Sequence, residues 1–297
     1  MPAGNANESV ATPQAADPND ACPPKRAAEG RLLRPPTGEA AESGLTMLLE
    51  AMAENRLELW FQPVMNLRSR TPEWYEGLLR LRTRDGQVLP PSRFIPYVES
   101  EPDLMTALDI YVLKLAVRHL QLGDLPCLSV NISGVTMSDP QFSSILERVC
   151  TPLPAELRGR LILEITETAM IRDLTAAKAN CRTARLLGLE LALDDFGEAF
   201  SSMMILRELP LTIMKIDGSF AENLQTSQKC WLITDWMLRL GTELGMRCVL
   251  EFISSEPLCQ EAIKMDFVLG QGFHLGKPLP LSEIKGLKRQ IKPILPD

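Results

Sequence analysis

The sequence predicts an α/β fold in which eight strand and helix units close into a (β/α)8, TIM-like barrel. Two observations support this prediction. From Gly44 onward, short apolar and β-branched runs alternate with longer amphipathic stretches, and seven of the runs end at a polar side chain. Strands that alternate with helices are typical of a parallel sheet, and eight strands in about 250 residues match the size of a closed barrel. The alternative is an open, doubly wound sheet.

The first 43 residues differ in composition from the rest of the chain. They contain seven prolines and no aromatic residue, and the first aromatic side chain is Trp60. Such a segment cannot bury enough apolar surface to offset the entropy lost on ordering. We therefore predict a disordered tail over residues 1–43 and one barrel domain over residues 44–297.

Strand and helix candidates follow one another along the domain. The strands are predicted at Leu59–Met65, Trp74–Leu81, Cys127–Ser133, Leu161–Thr166, Leu189–Asp194, Ile213–Asp217, Cys248–Ile253 and Phe267–Leu269. The helices are predicted at Leu45–Asn55, Asp103–Leu120, Phe142–Val149, Thr168–Leu187, Ser201–Glu208, Ser227–Leu244 and Glu256–Lys264. The strand runs are short and β-branched, whereas the helical stretches are longer and amphipathic.

Charge and composition exclude several classes of function. The chain carries 38 acidic and 31 basic residues, so it lacks the basic surface with which proteins neutralise the phosphates of a nucleic-acid polymer. Only two histidines occur, so carboxylates must provide most of the polar chemistry. The seven cysteines lack C-x-x-C spacing and follow no signal-peptide pattern, which predicts reduced thiols in a cytoplasmic protein.

No stretch of the sequence approaches the roughly 20 apolar residues of a membrane span. The most apolar stretch, Leu104–Leu122, contains Asp109, Lys114, Arg118 and His119. We therefore predict an amphipathic surface helix there and no membrane partner.

Polar side chains stand at or just beyond the ends of seven predicted strands. They are Glu76, Asn131, Glu164, Asp194, Lys215, Glu251 and Gln271. A barrel gathers the C-terminal ends of its strands around one mouth, where enzymes of this shape keep their active sites. We expect these side chains to converge in space although they are scattered in sequence.

Asp194 and Asp195 are adjacent carboxylates at the end of an apolar run. Two such groups repel each other and resist burial unless a cation lies between them. Helix capping is the alternative explanation of this pair. With Glu76, Asn131 and Glu164 at the same mouth, metal binding is the better account, and ligands that are all oxygens select Mg²⁺ or Mn²⁺.

Lys215 and Asp217 are two residues apart and therefore lie on one strand face. Lys215 is either a structural counter-charge or the group that orients an attacking water and neutralises a phosphoryl group. Glu251 is a candidate general base or further metal ligand, and Arg80 offers a planar fork for a phosphate unless it forms a surface ion pair. Together these groups predict metal-assisted phosphoester hydrolysis.

Eight sequence blocks also resemble those of one known family. They are FQPVMNL, YEGLLRL, PPSRFIPYVES, LSVNIS, LILEITET, LGLELALDDFG, LPLTIMKIDGSF and GQGFHLGKPLP. In content and order they resemble the EAL-domain family of cyclic-di-GMP-specific phosphodiesterases and their degenerate relatives, over essentially Leu45 to Leu287. The resemblance implies a barrel with one antiparallel strand that opens cyclic di-GMP to linear pGpG with two Mg²⁺ or Mn²⁺ ions. It also implies a homodimer or a protein partner.

The resemblance implies a role for each site residue. The metal positions correspond to Glu76, Asn131, Glu164, Asp194 and Asp195. Lys215 stands at the water-orienting lysine and Glu251 at the proposed base or metal-associated glutamate, so both are assigned to catalysis. The substrate positions correspond to Gln62, Leu79, Arg80, Asp217 and Gln271, and the loop that follows Asp195 is anchored by Glu167.

The chain departs from the family pattern at several positions. Its signature triplet is Glu76-Gly77-Leu78 instead of Glu-Ala-Leu, and Ser254 replaces a common second glutamate. The loop after Asp195 reads Phe-Gly-Glu-Ala-Phe, where the family usually has Phe-Gly-Thr-Gly-Tyr. If the second glycine of that motif serves a positive φ, Ala199 costs about 1 kcal/mol. Glu198 adds a negative charge near the metal ligands.

Two functions therefore remain open from the sequence. The retained ligand set favours a phosphodiesterase, whereas Glu198, Ala199 and Ser254 favour a weak or inactive EAL domain that acts as a cyclic-di-GMP receptor or a protein scaffold. A different phosphodiester substrate is a third alternative.

Overall fold

The computed structural model describes residues 39–99, 101–166, 171–197 and 202–285. In these ranges the strands are β1 (Leu57–Asn66), β2 (Thr71–Arg82), β3 (Val88–Leu89), β4 (Leu128–Ile132), β5 (Leu161–Thr166), β6 (Glu190–Phe196), β7 (Ile213–Ile216), β8 (Arg247–Leu250), β9 (Leu269–Gly270) and β10 (Leu279–Pro280). The α-helices are α1 (Glu39–Ala53), α2 (Pro102–Gln121), α3 (Gly134–Met137), α4 (Phe142–Cys150), α5 (Ala155–Arg158), α6 (Leu174–Leu186), α7 (Ser202–Glu208), α8 (Gly218–Glu222), α9 (Gln228–Glu243), α10 (Glu256–Lys264) and α11 (Leu281–Lys285).

Eight of the strands close into a ring in the order β1, β2, β4, β5, β6, β7, β8, β9. The ring closes because β1 pairs with both β2 and β9, and β1 is antiparallel to each of them. Every other neighbouring pair in the ring is parallel. The predicted (β/α)8 barrel with one antiparallel strand is therefore confirmed, and the open sheet is excluded.

A short turn explains why β1 runs against its neighbours. The side-chain oxygen of Asn66 accepts hydrogen bonds from the backbone N–H groups of Arg68 and Ser69, each at 3.1 Å, and so closes a tight turn. Arg70 completes the reversal with a φ of 58°. A connection this short can join only antiparallel strands, since parallel strands need a crossover of a dozen or more residues.

Several element boundaries differ from the predicted ones. Helix α6 begins at Leu174 and not at Thr168, because the Asp173 carboxylate caps it by accepting from the backbone N–H groups of Thr175 and Ala176 at 2.9 and 3.0 Å. Helix α1 begins at Glu39, inside the predicted tail, and residues 1–38 lie outside the described part of the chain. The two-residue strands β3 and β10 were not predicted, because they are too short to show the alternation of apolar and polar side chains that indicates a strand.

The apolar core has two parts. The larger one lies between the strands and the surrounding helices. The smaller one fills the base of the barrel with side chains that point inward: Val64, Trp74, Ile162, Ala192, Ile213, Val249 and Leu269. The Arg247 guanidinium lies 5.0 Å from the centre of the Trp74 ring. The base of the barrel is thus filled mainly by apolar side chains, with the buried Ser129 of β4 at the level of Ile162.

Helix α2 covers the outside of the barrel with one apolar face that includes Leu108, Val112 and Leu113. It is therefore the amphipathic helix that the sequence predicts. Within the described ranges, no helix has both the length and the apolar character that crossing a membrane requires.

Candidate active site

The interior side chains one step above the apolar base are polar. Because successive inward-facing residues on a strand are two apart, Trp74 is followed inward by Glu76, and Ile213 is followed inward by Lys215. The same spacing relates the base to Glu164, Asp194, Glu251 and Gln271. Strand register places these residues at similar heights; Asn131, for example, lies opposite Glu164.

Lys215 lies at the centre of this polar layer. Its Nζ atom is 2.8 Å from a carboxylate oxygen of Glu164 and of Asp194, 3.0 Å from one of Glu251 and 3.3 Å from one of Glu76. All five residues are at most 8% exposed. The structure thus gathers side chains from four strand ends around one buried ammonium group.

Two amide side chains hold Glu76. Asn131 Nδ2 donates to one of its oxygens at 3.0 Å, and Gln271 Nε2 donates to the other at 2.7 Å. Burial alone would raise the pKa of Glu76, but the charge of Lys215 and these hydrogen bonds outweigh burial and lower it. Glu76 is therefore held as a carboxylate in a fixed orientation.

The other carboxylates are not fully compensated. Burial raises the pKa of Glu164 to about 8, although the positive charge of Lys215 opposes the shift. Burial also raises the pKa of Asp194, and it raises that of Glu251 well above the usual range. Burial would lower the pKa of Lys215, but the four carboxylates outweigh it and hold that pKa well above its usual range. One ammonium group cannot neutralise four carboxylates, so the layer is suited to further positive charge.

Unpartnered oxygens test whether divalent ions fit here. Among the described residues, Asn131 Oδ1 and Glu164 Oε1 are buried acceptors without a hydrogen-bond donor. A buried acceptor without a donor is costly, and hard cations take oxygen ligands. One oxygen from each of Asp194, Asp195 and Glu251 also lies within 4.8 Å of the others. The donor set therefore fits Mg²⁺ or Mn²⁺.

A bulge explains how two adjacent aspartates join one cluster. Neighbouring residues on a regular strand point to opposite faces. The register of β6 against β7 shifts between Leu193 and Phe196, and Asp195 has a φ of 55°. The bulge brings the Asp194 and Asp195 carboxylates together, which favours metal binding over the helix-capping alternative.

The predicted substrate positions fall into two groups. Gln62 lies opposite Glu76 in register, and its Nε2 donates to the Gly276 carbonyl at 3.1 Å. Arg80 shares the strand face of Glu76, and its guanidinium lies 5.5 Å from the centre of the Trp60 ring. These two side chains, with Gln271, therefore line the mouth.

Leu79 and Asp217 are placed differently. The Leu79 side chain is buried in the hydrophobic core, on the strand face opposite to Glu76, and its carbonyl accepts from Arg80 Nη1 at 2.9 Å. The Asp217 carboxylate caps α8 by accepting from the Ser219 backbone N–H at 3.0 Å. Ser254 is exposed, and Glu167, Glu198 and Ala199 lie outside the described residues.

Asp109 is a buried group that the sequence interpretation missed. It is predicted to be one of the polar residues of a surface helix, but it is only 4% exposed. Its Oδ2 accepts from the Ser133 backbone N–H at 2.9 Å, and from the Ser133 and Thr136 hydroxyls at 2.6 Å each. Asp109 thus fixes the turn that follows Asn131. Its spacing of three and four residues from Val112 and Leu113 placed it on the apolar face, a signal that was available in the sequence.

Replacing Asp109 with asparagine will flatten part of the pH dependence of stability. Burial raises the pKa of Asp109 from 3.8 to about 6, against hydrogen bonds from Ser133 and Thr136. The folded protein keeps this proton to a higher pH than the unfolded chain does. The stabilisation, about 3 kcal/mol, is therefore complete below the unfolded-state pKa and is lost as the pH rises through about 6. Urea titrations across this window will show a shallower decline for Asp109→Asn.

The control for this prediction is Asp103→Asn, which changes an exposed aspartate in the first turn of the same helix. Its unfolding free energy should follow the wild-type pH profile, with at most a constant offset. Parallel profiles for Asp109→Asn and the wild-type protein would contradict the assigned role of burial.

Fold and site together define a class of protein, an α/β barrel whose mouth holds a carboxylate-rich centre suited to hard divalent cations. The chain belongs to the EAL domain family, since the family model for the EAL domain matches residues 45–278. The family membership expected from the eight sequence blocks is thereby confirmed.

Relatives and solved structures agree with this assignment. Cyclic di-GMP phosphodiesterase PdeB of Shewanella oneidensis is 31% identical over 242 residues, which are 79% of this chain and 28% of PdeB. An EAL domain protein of Listeria monocytogenes superposes with a TM-score of 0.75 at 27% identity, over 83% of this chain and 98% of that one. The FimX EAL domain of Pseudomonas aeruginosa, solved with c-di-GMP bound, has a TM-score of 0.72 at 26% identity, over 80% and 96%. The chain spans less than a third of the length of PdeB.

Proposed function

We propose that this chain hydrolyses cyclic di-GMP to linear pGpG with two Mg²⁺ or Mn²⁺ ions. The observation that carries the proposal is the buried layer of four carboxylates around Lys215, with its unpartnered acceptors on Asn131 and Glu164. The names of the relatives, cyclic di-GMP phosphodiesterase and c-di-GMP-bound EAL domain, supply the substrate. A homodimer or protein partner stays a prediction, as does a single EAL domain over residues 44–297.

The metal ligands in this proposal are Glu76, Asn131, Glu164, Asp194 and Asp195. When bound, the ions would supply positive charge that neutralises the phosphoryl oxygens and eases ionisation of the attacking water. Hydrolysis adds water across one phosphodiester bond, so that hydroxide joins phosphorus and a proton goes to the leaving 3′ oxygen.

The chain's own residues have separable tasks in this reaction. The Lys215 ammonium, held as a cation by its carboxylate neighbours, orients the water and stabilises negative charge on phosphorus. Glu251 Oε1 lies 3.0 Å from Lys215 Nζ and accepts the proton of the water. Arg80 offers its guanidinium to the phosphate of the substrate, and Gln62 and Gln271 line the mouth that receives it.

The direct test is to incubate purified protein with cyclic di-GMP and either Mg²⁺ or Mn²⁺, and to resolve the products by chromatography. We expect pGpG with at least one ion and none in the presence of a chelator. Binding of cyclic di-GMP without pGpG under both ions would contradict hydrolysis and support the receptor function. Absence of any nucleotide binding would leave the scaffold function.

A further inference from the structure

Phe252 has a backbone conformation that its side chain disfavours. Its φ is 57°, in the left-handed region, where a bulky residue is a genuine outlier. Among the described residues, the other non-glycine residues with positive φ are Asn55, Arg70, Asp195 and Asp266, none of which is aromatic or β-branched. Strained residues of this kind cluster at functional sites and persist only where their surroundings fix them.

The backbone on either side fixes Phe252. The Glu251 N–H donates to the Ile216 carbonyl at 3.2 Å, and the Ile253 N–H donates to the Gln271 carbonyl at 3.0 Å. Glu251 must point inward to reach Lys215, and Ile253 is fully buried in the core. The change of chain direction between them therefore falls on the backbone of Phe252. Asparagine or glycine would do so with less strain, so the phenyl ring is not explained by the needs of the backbone.

The ring lies at the rim of the polar layer. A Cβ atom added to Gly218 would lie 2.2 Å from Phe252 Cδ2 and 2.5 Å from its Cβ, so the ring packs directly on the Gly218 backbone. Gly218 opens α8 at the carboxyl end of β7, and Phe252 follows the carboxyl end of β8. Phe252 nevertheless remains 47% exposed. A flat apolar surface therefore stands beside Glu251 at the mouth.

This juxtaposition matches one chemical class of ligand. A group that binds there must present a phosphodiester to the carboxylates and Lys215, and a planar apolar face to the rim. A nucleotide has both parts, and the faces of nucleobases stack on aromatic side chains. We infer that Phe252 is the stacking platform for one purine base of the cyclic dinucleotide, an inference that rests on the proposed function. The ring determines affinity for the nucleotide and does not touch the reacting atoms.

Two substitutions separate the ring from the backbone. Phe252→Asn removes the ring but tolerates the left-handed φ, and Phe252→Tyr keeps the ring. We expect Phe252→Asn to raise both KM and the Kd for cyclic di-GMP by roughly tenfold, as for loss of one base-stacking contact, with kcat within about twofold. Its thermal midpoint should equal or exceed that of the wild-type protein, and Phe252→Tyr should bind like wild type.

A backbone control comes from the opposite end of the barrel. Asp266→Asn places asparagine at another left-handed residue, an exposed one in the turn before β9, and should leave the Kd unchanged. A Kd of Phe252→Asn for cyclic di-GMP equal to that of the wild-type protein would overturn the inference. A fall in thermal midpoint with loss of kcat would overturn it also, since it would show a structural role. If the wild-type protein binds cyclic di-GMP without cleaving it, hydrolysis is contradicted, and the Kd values of the wild-type protein and Phe252→Asn still test base stacking. Absence of binding to the wild-type protein overturns both hydrolysis and base stacking.

Discussion

Replacing Lys215 with methionine will lower the unfolding free energy of the metal-free protein by about 3–5 kcal/mol, because removing one partner leaves buried charges uncompensated. Lys215 Nζ contacts carboxylates of Glu76, Glu164, Asp194 and Glu251, and methionine fills similar space without charge. The loss should shrink in acid, where the carboxylates can be neutralised by protons. Urea unfolding in the presence of a chelator, at about pH 5 and about pH 8, measures both effects.

The matched control is Lys264→Met, because the Lys264 side chain is 72% exposed and pairs with Glu261 on the same helix. Surface pairs of this kind are worth roughly 0–1 kcal/mol, so its stability should change little. Added Mn²⁺ should raise the thermal midpoint of Lys215→Met more than that of the wild-type protein, since it replaces the missing positive charge. If Lys215→Met has the same unfolding free energy as the wild-type protein at the higher pH, the ammonium group does not have the central role proposed for it.

Glu76→Gln will remove hydrolysis of cyclic di-GMP while leaving the barrel folded. Glutamine has the shape of glutamate, but it loses the charge and brings an amide donor against the donors of Asn131 and Gln271. We expect the rate of pGpG formation to fall by more than the roughly 10- to 100-fold that is typical of residues that only orient a metal ligand. Chromatography of products measures the rate, and the rise in thermal midpoint with added Mn²⁺ measures ion binding.

Glu73→Gln is the control for this variant. Glu73 lies three residues earlier on β2, near the other end of the barrel, where it accepts from Asn66 Nδ2 at 3.2 Å. Its turnover and its response to Mn²⁺ should match those of the wild-type protein. Unchanged turnover in Glu76→Gln would mean that Glu76 is not a metal ligand.

Much of the fold was predictable because its signals are local. Short β-branched runs and amphipathic stretches are properties of single segments, and α10 has the predicted bounds, Glu256–Lys264. The predicted start of α6 was wrong because the amphipathic pattern extends further toward the N-terminus than the helix does. The helix begins only after Asp173, whose carboxylate caps it. The strand pairs β1–β10 and β2–β3 are two residues long, so no segment of the chain carries their signal.

The candidate site was predictable in its residue types and less so in its geometry. Carboxylates at the ends of apolar strands resist burial, which singles out Glu76, Glu164 and Glu251 without a structure. The core position of Leu79, on the face of β2 that points away from the barrel interior, depends on which helices pack against that strand. The strained φ of Phe252 depends on hydrogen bonds between β7, β8 and the segment after β9.

The sequence by itself determined the alternation of strands and helices, the family and the chemistry available at the strand ends. These follow from side-chain period and residue type, which are contained in short stretches of chain. Only the tertiary structure decided that β1 closes the ring, that a bulge joins Asp194 to Asp195, and that Lys215 lies among four carboxylates. Register and burial arise from pairing between residues far apart in the chain, and those pairings exist only once the barrel has closed.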